Sequence, residues 1–278
     1  MTIQLQVNEN IINSGICFPE GSRWREGSLY FTDIDGQAVY CIGSDGIKTK
    51  LFDMPYPSGL GWLPSGAMII SSMREQKLYQ WHGGELAVYA DLSTVAKSYL
   101  NDLVTDPKGN VYVGDIGFLY GKDPEQPGNV IKVDQDKNIS SVCDQSMFAN
   151  GILIDEENQR LILAESCAER VAQYDMDSDG NLTNKRDLFK IEKMTPDGIA
   201  LDSEGSLWVA DPLGRRAVIR VNQSGEVTHE IPFSGEHYPF DCVLGGEDMK
   251  NLYIMSSTAN NTQGRVDMVR VTTAGKLM

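Results

Sequence analysis

The sequence predicts an all-β chain: a six-bladed β-propeller with four antiparallel strands per blade, residues 1–278 forming one domain. Three observations carry this expectation. One phrase recurs six times: a polar or turn-forming opening, a short apolar run, a turn rich in Gly, Pro, Asp and Asn, and a second apolar run ending at a small or acidic residue. Its starts, Pro19, Pro57, Leu100, Ala149, Pro196 and Pro239, are spaced by 38, 43, 49, 47 and 43 residues. A period of about 40–50 residues made of short strands marks a radial repeat. Helical periodicity is hard to find, which disfavours the helix-pair solenoid of similar period. A β-sandwich with chance echoes is the remaining alternative.

Taken in order, PEGSRWREGSLYFTD (19–33) supplies the first two strands of blade 1, and AVYCIG the third. PSGLGWLPSGAMIISS (57–72) and KLYQWHG do the same for blade 2, and LNDLVTDPKGNVYVGD (100–115) and NVIKVD for blade 3. Blade 4 follows from ANGILIDEENQRLILAES (149–166) and VAQYDMD, and blade 5 from PDGIALDSEGSLWVAD (196–211) and AVIRVN. Blade 6 follows from PFDCVLGGEDMKNLYIMSS (239–257) and VDMVRV. The alternation of short apolar runs with turn residues is the strand signal in each case. Outermost strands come after the third ones. The N-terminal MTIQLQVNEN either completes the last blade as its outer strand or hangs free.

Composition narrows the function. A net charge of −15 disfavours nucleic acid and anionic membranes as partners. The N-terminus lacks the basic region and continuous apolar stretch of a signal peptide, and no apolar run approaches the length of a membrane helix. The five cysteines are far apart and odd in number, as expected of free thiols in a cytoplasmic protein. Oligomeric state is not encoded in any motif.

In a propeller, equivalent repeat positions become equivalent blade positions. The start of each innermost strand lies near the axis, so Glu20, Ser58, Asn101, Asn150, Asp197 and Phe240 form a ring. Strand interiors disfavour Glu, Asn and Asp, and a buried, unpaired carboxylate is costly. A central cation removes that penalty. Oxygen donors without His or Cys suit Ca²⁺ ahead of Mg²⁺ or Mn²⁺.

At these residues the chain resembles the gluconolactonase/regucalcin family of six-bladed propeller hydrolases. The likeness covers nearly the whole chain and rests on PEGSRW, LNDLVTDPKGNVYVGD, FANGILID and PDGIALDSEGSLWVAD. It implies one divalent cation, Ca²⁺ first with Mg²⁺, Mn²⁺ or Zn²⁺ as alternatives, held by Glu20, Asn150 and Asp197. Asn101 is implied beside the metal, in contact with substrate. Sugar-lactone members often carry Arg two residues before this Asn to hold a polyhydroxylated ring; here Tyr99 takes that place as the expected substrate contact. The long stretch 114–128, with Phe118, Leu119 and Tyr120, is a candidate lid. Together these features leave room for a less polar lactone or cyclic ester.

The expected chemistry is metal-assisted hydrolysis of a lactone, with Asp197 as the base that takes a proton from water. Asp102 is either part of this site or a buried turn carboxylate. A phosphotriesterase or fluorophosphatase on the same site is the alternative enzyme, and a non-enzymatic calcium-binding propeller the alternative class. Other sites fare poorly. G-x-S-x-G is absent, and His82, His229 and His237 fall in turn-like or outer segments without zinc spacing. DMDSDGNLTNKRD (175–187) opens like an EF-hand loop but places Arg186 at the twelfth position, where Glu is required, and reads better as an outer hairpin.

Overall fold

A computed structural model describes residues 2–276. It is a six-bladed β-propeller. The innermost strands, in blade order, are Pro19–Arg25, Pro57–Trp62, Leu100–Thr105, Ala149–Asp155, Ile199–Leu201 and His237–Gly245. Each touches the next around the axis, and His237–Gly245 meets Pro19–Arg25 to close the circle.

The apolar runs are continuous because both faces of each blade are covered. In blade 5, Val209 packs toward blade 4 while its neighbours Trp208 and Ala210 pack toward blade 6. Alternation along a strand sends successive side chains to opposite faces, so a strand buried on both sides reads as unbroken hydrophobicity. Six apolar clusters result, one at each blade interface.

Closure settles the fate of the N-terminus. Glu9–Ile12 adds antiparallel to Gly264–Arg270, with Glu9 opposite Met268 and Ile12 opposite Val266, and completes blade 6. Ahead of it, Ile3–Gln4 runs parallel to Val227–Pro232 and covers the outer edge of blade 5. At the other end, Gly275 bridges Asp202, and Lys276 reaches Asp155 at 2.6 Å and Glu157 at 2.7 Å.

Two local devices aim residues at the axis. Pairing of the first two strands slips between Glu20 and Arg23, Pro57 and Leu60, Leu100 and Leu103, Ala149 and Ile152, and Pro239 and Asp241. Each slip is a bulge at the ring position, and bulges re-aim side chains. In blade 5 the regular strand is only three residues long, and at the ring position Asp197 N still donates to Ala210 O (2.9 Å) while Gly198 N–H turns to Phe240 O of blade 6 (2.8 Å). The second device is the acidic stop of the second strand. Asp33 accepts from Cys17 N (2.9 Å) and Phe18 N (2.7 Å), and Asp115 from Lys97 N (2.8 Å) and Ser98 N (3.0 Å). Asp211 accepts from Thr195 N at 2.9 Å, and Glu165 from Met147 N at 3.2 Å. Each carboxylate thereby fixes the segment that enters its own blade's inner strand, two to four residues before the ring residue.

Candidate active site in the axial cavity

Glu20, Asn101, Asn150, Asp197 and Phe240 line one cavity of about 500 Å³ at one end of the axis. The sixth ring residue, Ser58, is buried, and its hydroxyl donates to Asn101 Oδ1 at 3.0 Å. The two carboxamides are held by their amino groups. Asn101 Nδ2 donates to Ala149 O at 3.2 Å, and Asn150 Nδ2 to Ser166 Oγ at 3.1 Å. Among the described residues no donor reaches Asn150 Oδ1, which leaves that oxygen free to act as an acceptor. No three His, Cys or acidic side chains of the described residues converge as a metal cluster; the ring offers two carboxylates and two carboxamides. That donor set, all oxygen and doubly negative, fits a hard divalent cation.

Beneath the ring lies a second layer that the ring argument does not contain. The residues following the ring positions are Gly21, Gly59, Asp102, Gly151, Gly198 and Asp241. Four are Gly, and the two Asp stand in blades 3 and 6, opposite each other in a six-membered circle. Their partners repeat with a pseudo-twofold relation. Asp102 accepts from Leu103 N (2.8 Å) and, in the next blade, Ile152 N (3.4 Å); Asp241 accepts from Cys242 N (2.8 Å) and, in the next blade, Ser22 N (2.6 Å). The preceding blade must carry Gly in each case. A Cβ on Gly59 would lie 2.6 Å from Asp102 Oδ1, and one on Gly198 only 1.9 Å from Asp241 Oδ1. Arg23 breaks the symmetry: its guanidinium donates to Asp102 Oδ1 (2.8 Å), Leu103 O (2.6 Å) and Ser22 O (2.8 Å).

Four carboxylates and one guanidinium thus share a buried column. Burial, then the charges of Asp197, Asp241 and Asp102, holds Glu20 well above the usual carboxylate range. Burial, then Asp241, does the same for Asp197, against a hydrogen bond from the Asn150 amide. Asp241 is pushed up to about 6 by burial and then by Asp102, with Arg23 pulling the other way.

The walls are mostly apolar, with Ser166, Thr195, Tyr238 and Asn261 interspersed. Phe18 meets Phe240 edge-on at 4.7 Å, and Tyr120 meets Phe148 edge-on at 5.5 Å. The stretch 114–128 divides its aromatics between two tasks: Phe118 is buried and supports Phe148 at 5.9 Å, while Tyr120 stands exposed at the cavity mouth. Tyr99 is not among the lining residues; its half-buried ring lies 6.0 Å from the Arg74 guanidinium, which stacks on Tyr56 at 3.8 Å. None of the three histidines lines the cavity. The acidic hairpin is closed on itself: Asp177 accepts from Asp179 N and Asn181 N, Asp175 pairs with Arg186 at 2.7 Å, and Lys108 and Lys132 donate to the carbonyls of Ser178 and Asp179.

Among known proteins, the sequence profile described as SMP-30/Gluconolactonase/LRE-like region matches residues 18–258. Regucalcin of Danio rerio is 27% identical over 247 residues, covering 86% of this chain and 82% of that protein. The 6-deoxy-6-sulfogluconolactonase of Pseudomonas putida is 26% identical over 243 residues, again with 86% and 82% coverage. Of solved structures, the calcium-binding protein regucalcin from Agrobacterium tumefaciens superposes with a TM-score of 0.83 at 18% identity, covering 100% of this chain and 98% of that one. A gluconolactonase from Xanthomonas campestris gives 0.77 at 18% identity, with 93% and 88% covered. The matched span runs from the blade 1 ring segment to the end of the second strand of blade 6, and the chain therefore belongs to the SMP-30/gluconolactonase/LRE-like family.

Proposed function

We propose that this protein is a cytoplasmic, metal-dependent hydrolase that opens a lactone or related cyclic ester. The observation that carries the reading is the convergence of Glu20, Asn101, Asn150 and Asp197 on one cavity whose remaining walls are mostly apolar. Relatives named as gluconolactonases support the reaction class. Five unpaired cysteines agree with a reducing compartment.

In this reading Glu20, Asn150 and Asp197 hold one divalent cation, Ca²⁺ ahead of Mg²⁺, Mn²⁺ or Zn²⁺. When bound, such an ion polarises a carbonyl oxygen and stabilises developing negative charge on it. Asn101, fixed by Ser58 and Ala149, orients the ester. Asn101 rather than Tyr99 is the polar group that meets the substrate at the axis. Asp197 accepts the proton of the attacking water. The water oxygen bonds to the carbonyl carbon, the ring C–O bond breaks, and the proton passes to the departing alkoxide to give a hydroxy acid. The apolar walls shield the ester from bulk water.

The test is to strip the protein of metal and add back Ca²⁺, Mg²⁺, Mn²⁺ and Zn²⁺ in turn, against a lactone panel run beside a fluorophosphate. Lactone opening restored by one of the ions supports the proposal. Turnover of the fluorophosphate alone moves the protein to the phosphotriesterase reading. A metal-dependent rise in melting temperature with no turnover makes it a calcium-binding propeller.

A further inference from the structure

Resting on the lactonase reading, we infer that the substrate carries an apolar arm, an alkyl or aryl substituent on the lactone, rather than a ring of hydroxyls. The cavity separates into two parts. Its floor holds the ring carboxylates and carboxamides, and its wall is built from Phe18, Phe148, Leu213 and Phe240, with Ile34 and Ile116 behind. Two apolar side chains are left exposed at the mouth: Tyr120 at 60% and Leu213 at 58%. Exposed large apolar residues grouped at the entrance of a concave site are a surface waiting to be covered.

Of the polar groups on the wall, Thr195 and Ser166 are already committed, which leaves the Tyr238 hydroxyl and the Asn261 carboxamide as the polar side chains a ligand could still meet there. Thr195 Oγ1 donates to Asp211 at 3.0 Å and accepts from Leu213 N (3.0 Å) and Gly214 N (3.1 Å). Ser166 Oγ donates to Pro196 O at 2.7 Å and accepts from Asn150 Nδ2. Burial, then Glu125, pushes the Cys167 thiol up to about 11, so it stays neutral at the cavity wall. Among the described residues no Lys, Arg or His lines the cavity. A sugar lactone bound here would bury several hydroxyls with few partners, and each unpaired one is costly. An alkyl chain meets no such penalty, and each methylene buried on this wall strengthens binding about fourfold.

The test uses the full-length, metal-loaded protein. Hydrolysis of γ-lactones from unsubstituted γ-butyrolactone through the pentyl and hexyl homologues is compared with hydrolysis of δ-gluconolactone. We expect kcat/KM to climb about fourfold per added methylene until the wall is filled, and to exceed that for δ-gluconolactone by at least about tenfold. Leu213→Asp, at an exposed position, should cut the ratio of hexyl to unsubstituted lactone by about tenfold. Binding of a non-hydrolysable pair, the pentyl γ-lactam and gluconic δ-lactam, is measured by calorimetry in parallel. Tighter binding of the pentyl lactam without any lactone turnover sinks the lactonase reading and keeps the apolar site. Preference for δ-gluconolactone, tighter binding of the gluconic lactam, or no binding of either lactam overturns the inference.

Discussion

Arg23→Met isolates the buried charge column. The guanidinium and the Asp102 carboxylate are 18% and 11% exposed, so their contact at 2.8 Å is barely screened by solvent. The substitution keeps most of the aliphatic volume but removes three hydrogen bonds. Asp102 then faces Glu20 and Asp241 without its cation, and Leu103 O loses its donor. Removing one partner of a buried pair costs about 3–5 kcal/mol, because the surviving charge is left uncompensated. Arg23→Lys keeps the charge but cannot reach two carbonyls and a carboxylate together, and should cost about 1–2 kcal/mol. Urea unfolding by fluorescence, with the slope unchanged, measures these losses. The double variant Arg23→Met/Asp102→Asn should recover about 2 kcal/mol relative to the sum of the single changes. A cost below about 1 kcal/mol for Arg23→Met, or simple additivity in the cycle, would refute the claim that this pair holds the column together.

Four further outcomes are expected. Gly198→Ala puts a methyl 2.6 Å from the Asp241 Cα, a backbone atom that cannot swing away; a loss of about 1–3 kcal/mol in urea unfolding is expected, and a neutral result would contradict the close approach. Calcium at about a hundredfold excess over its Kd should raise the Tm by roughly 5–10 °C in scanning fluorimetry. Asp197→Asn should abolish that rise and lower lactone turnover at least about a hundredfold; retained turnover removes Asp197 from the chemistry. Burial tends to raise the pKa of Asp155, but hydrogen bonds from Lys276, Asn158 and Arg160 outweigh it and hold the carboxyl below its ordinary value. A depressed folded-state value means stability that is present above the unfolded pKa of about 3.9 and lost as pH falls through the folded one. Lys276→Met should therefore cost about 1 kcal/mol at neutral pH, with the gap to wild type closing below about pH 4; a gap unchanged at pH 3 would count against the pairing.

The repeat made the floor of the cavity legible and left its walls obscure. Glu20, Asn101, Asn150 and Asp197 share a register, and a shared register in a radial repeat means a shared place. Asp102 and Asp241 share one too, a single residue further along. Each alone reads as a turn carboxylate, and only the four glycines at the matching positions reveal the layer. Arg23 stayed hidden because the equivalent positions of the other blades carry Gly61, Val104, Leu153, Ala200 and Val243, and its partner lies across the axis, from blade 1 to blade 3. Phe148, Leu213 and Tyr120 come from connections between strands, which differ in length from blade to blade and obey no period. The shortness of the inner strand of blade 5 was equally unreadable, since the Gly198 amide just before it bonds to Phe240 O of the neighbouring blade, a contact no local pattern encodes.

Residues 9–12 are made before any blade and find their partner only when 264–270 has emerged. The molecule is thus fastened by a clasp whose halves sit near opposite ends of the polypeptide. During synthesis the first half waits as an unpaired segment, able to pair with another chain. A circular permutant that joins the old ends and opens a loop between blades would move this seam, and should change the refolding rate more than the finished architecture.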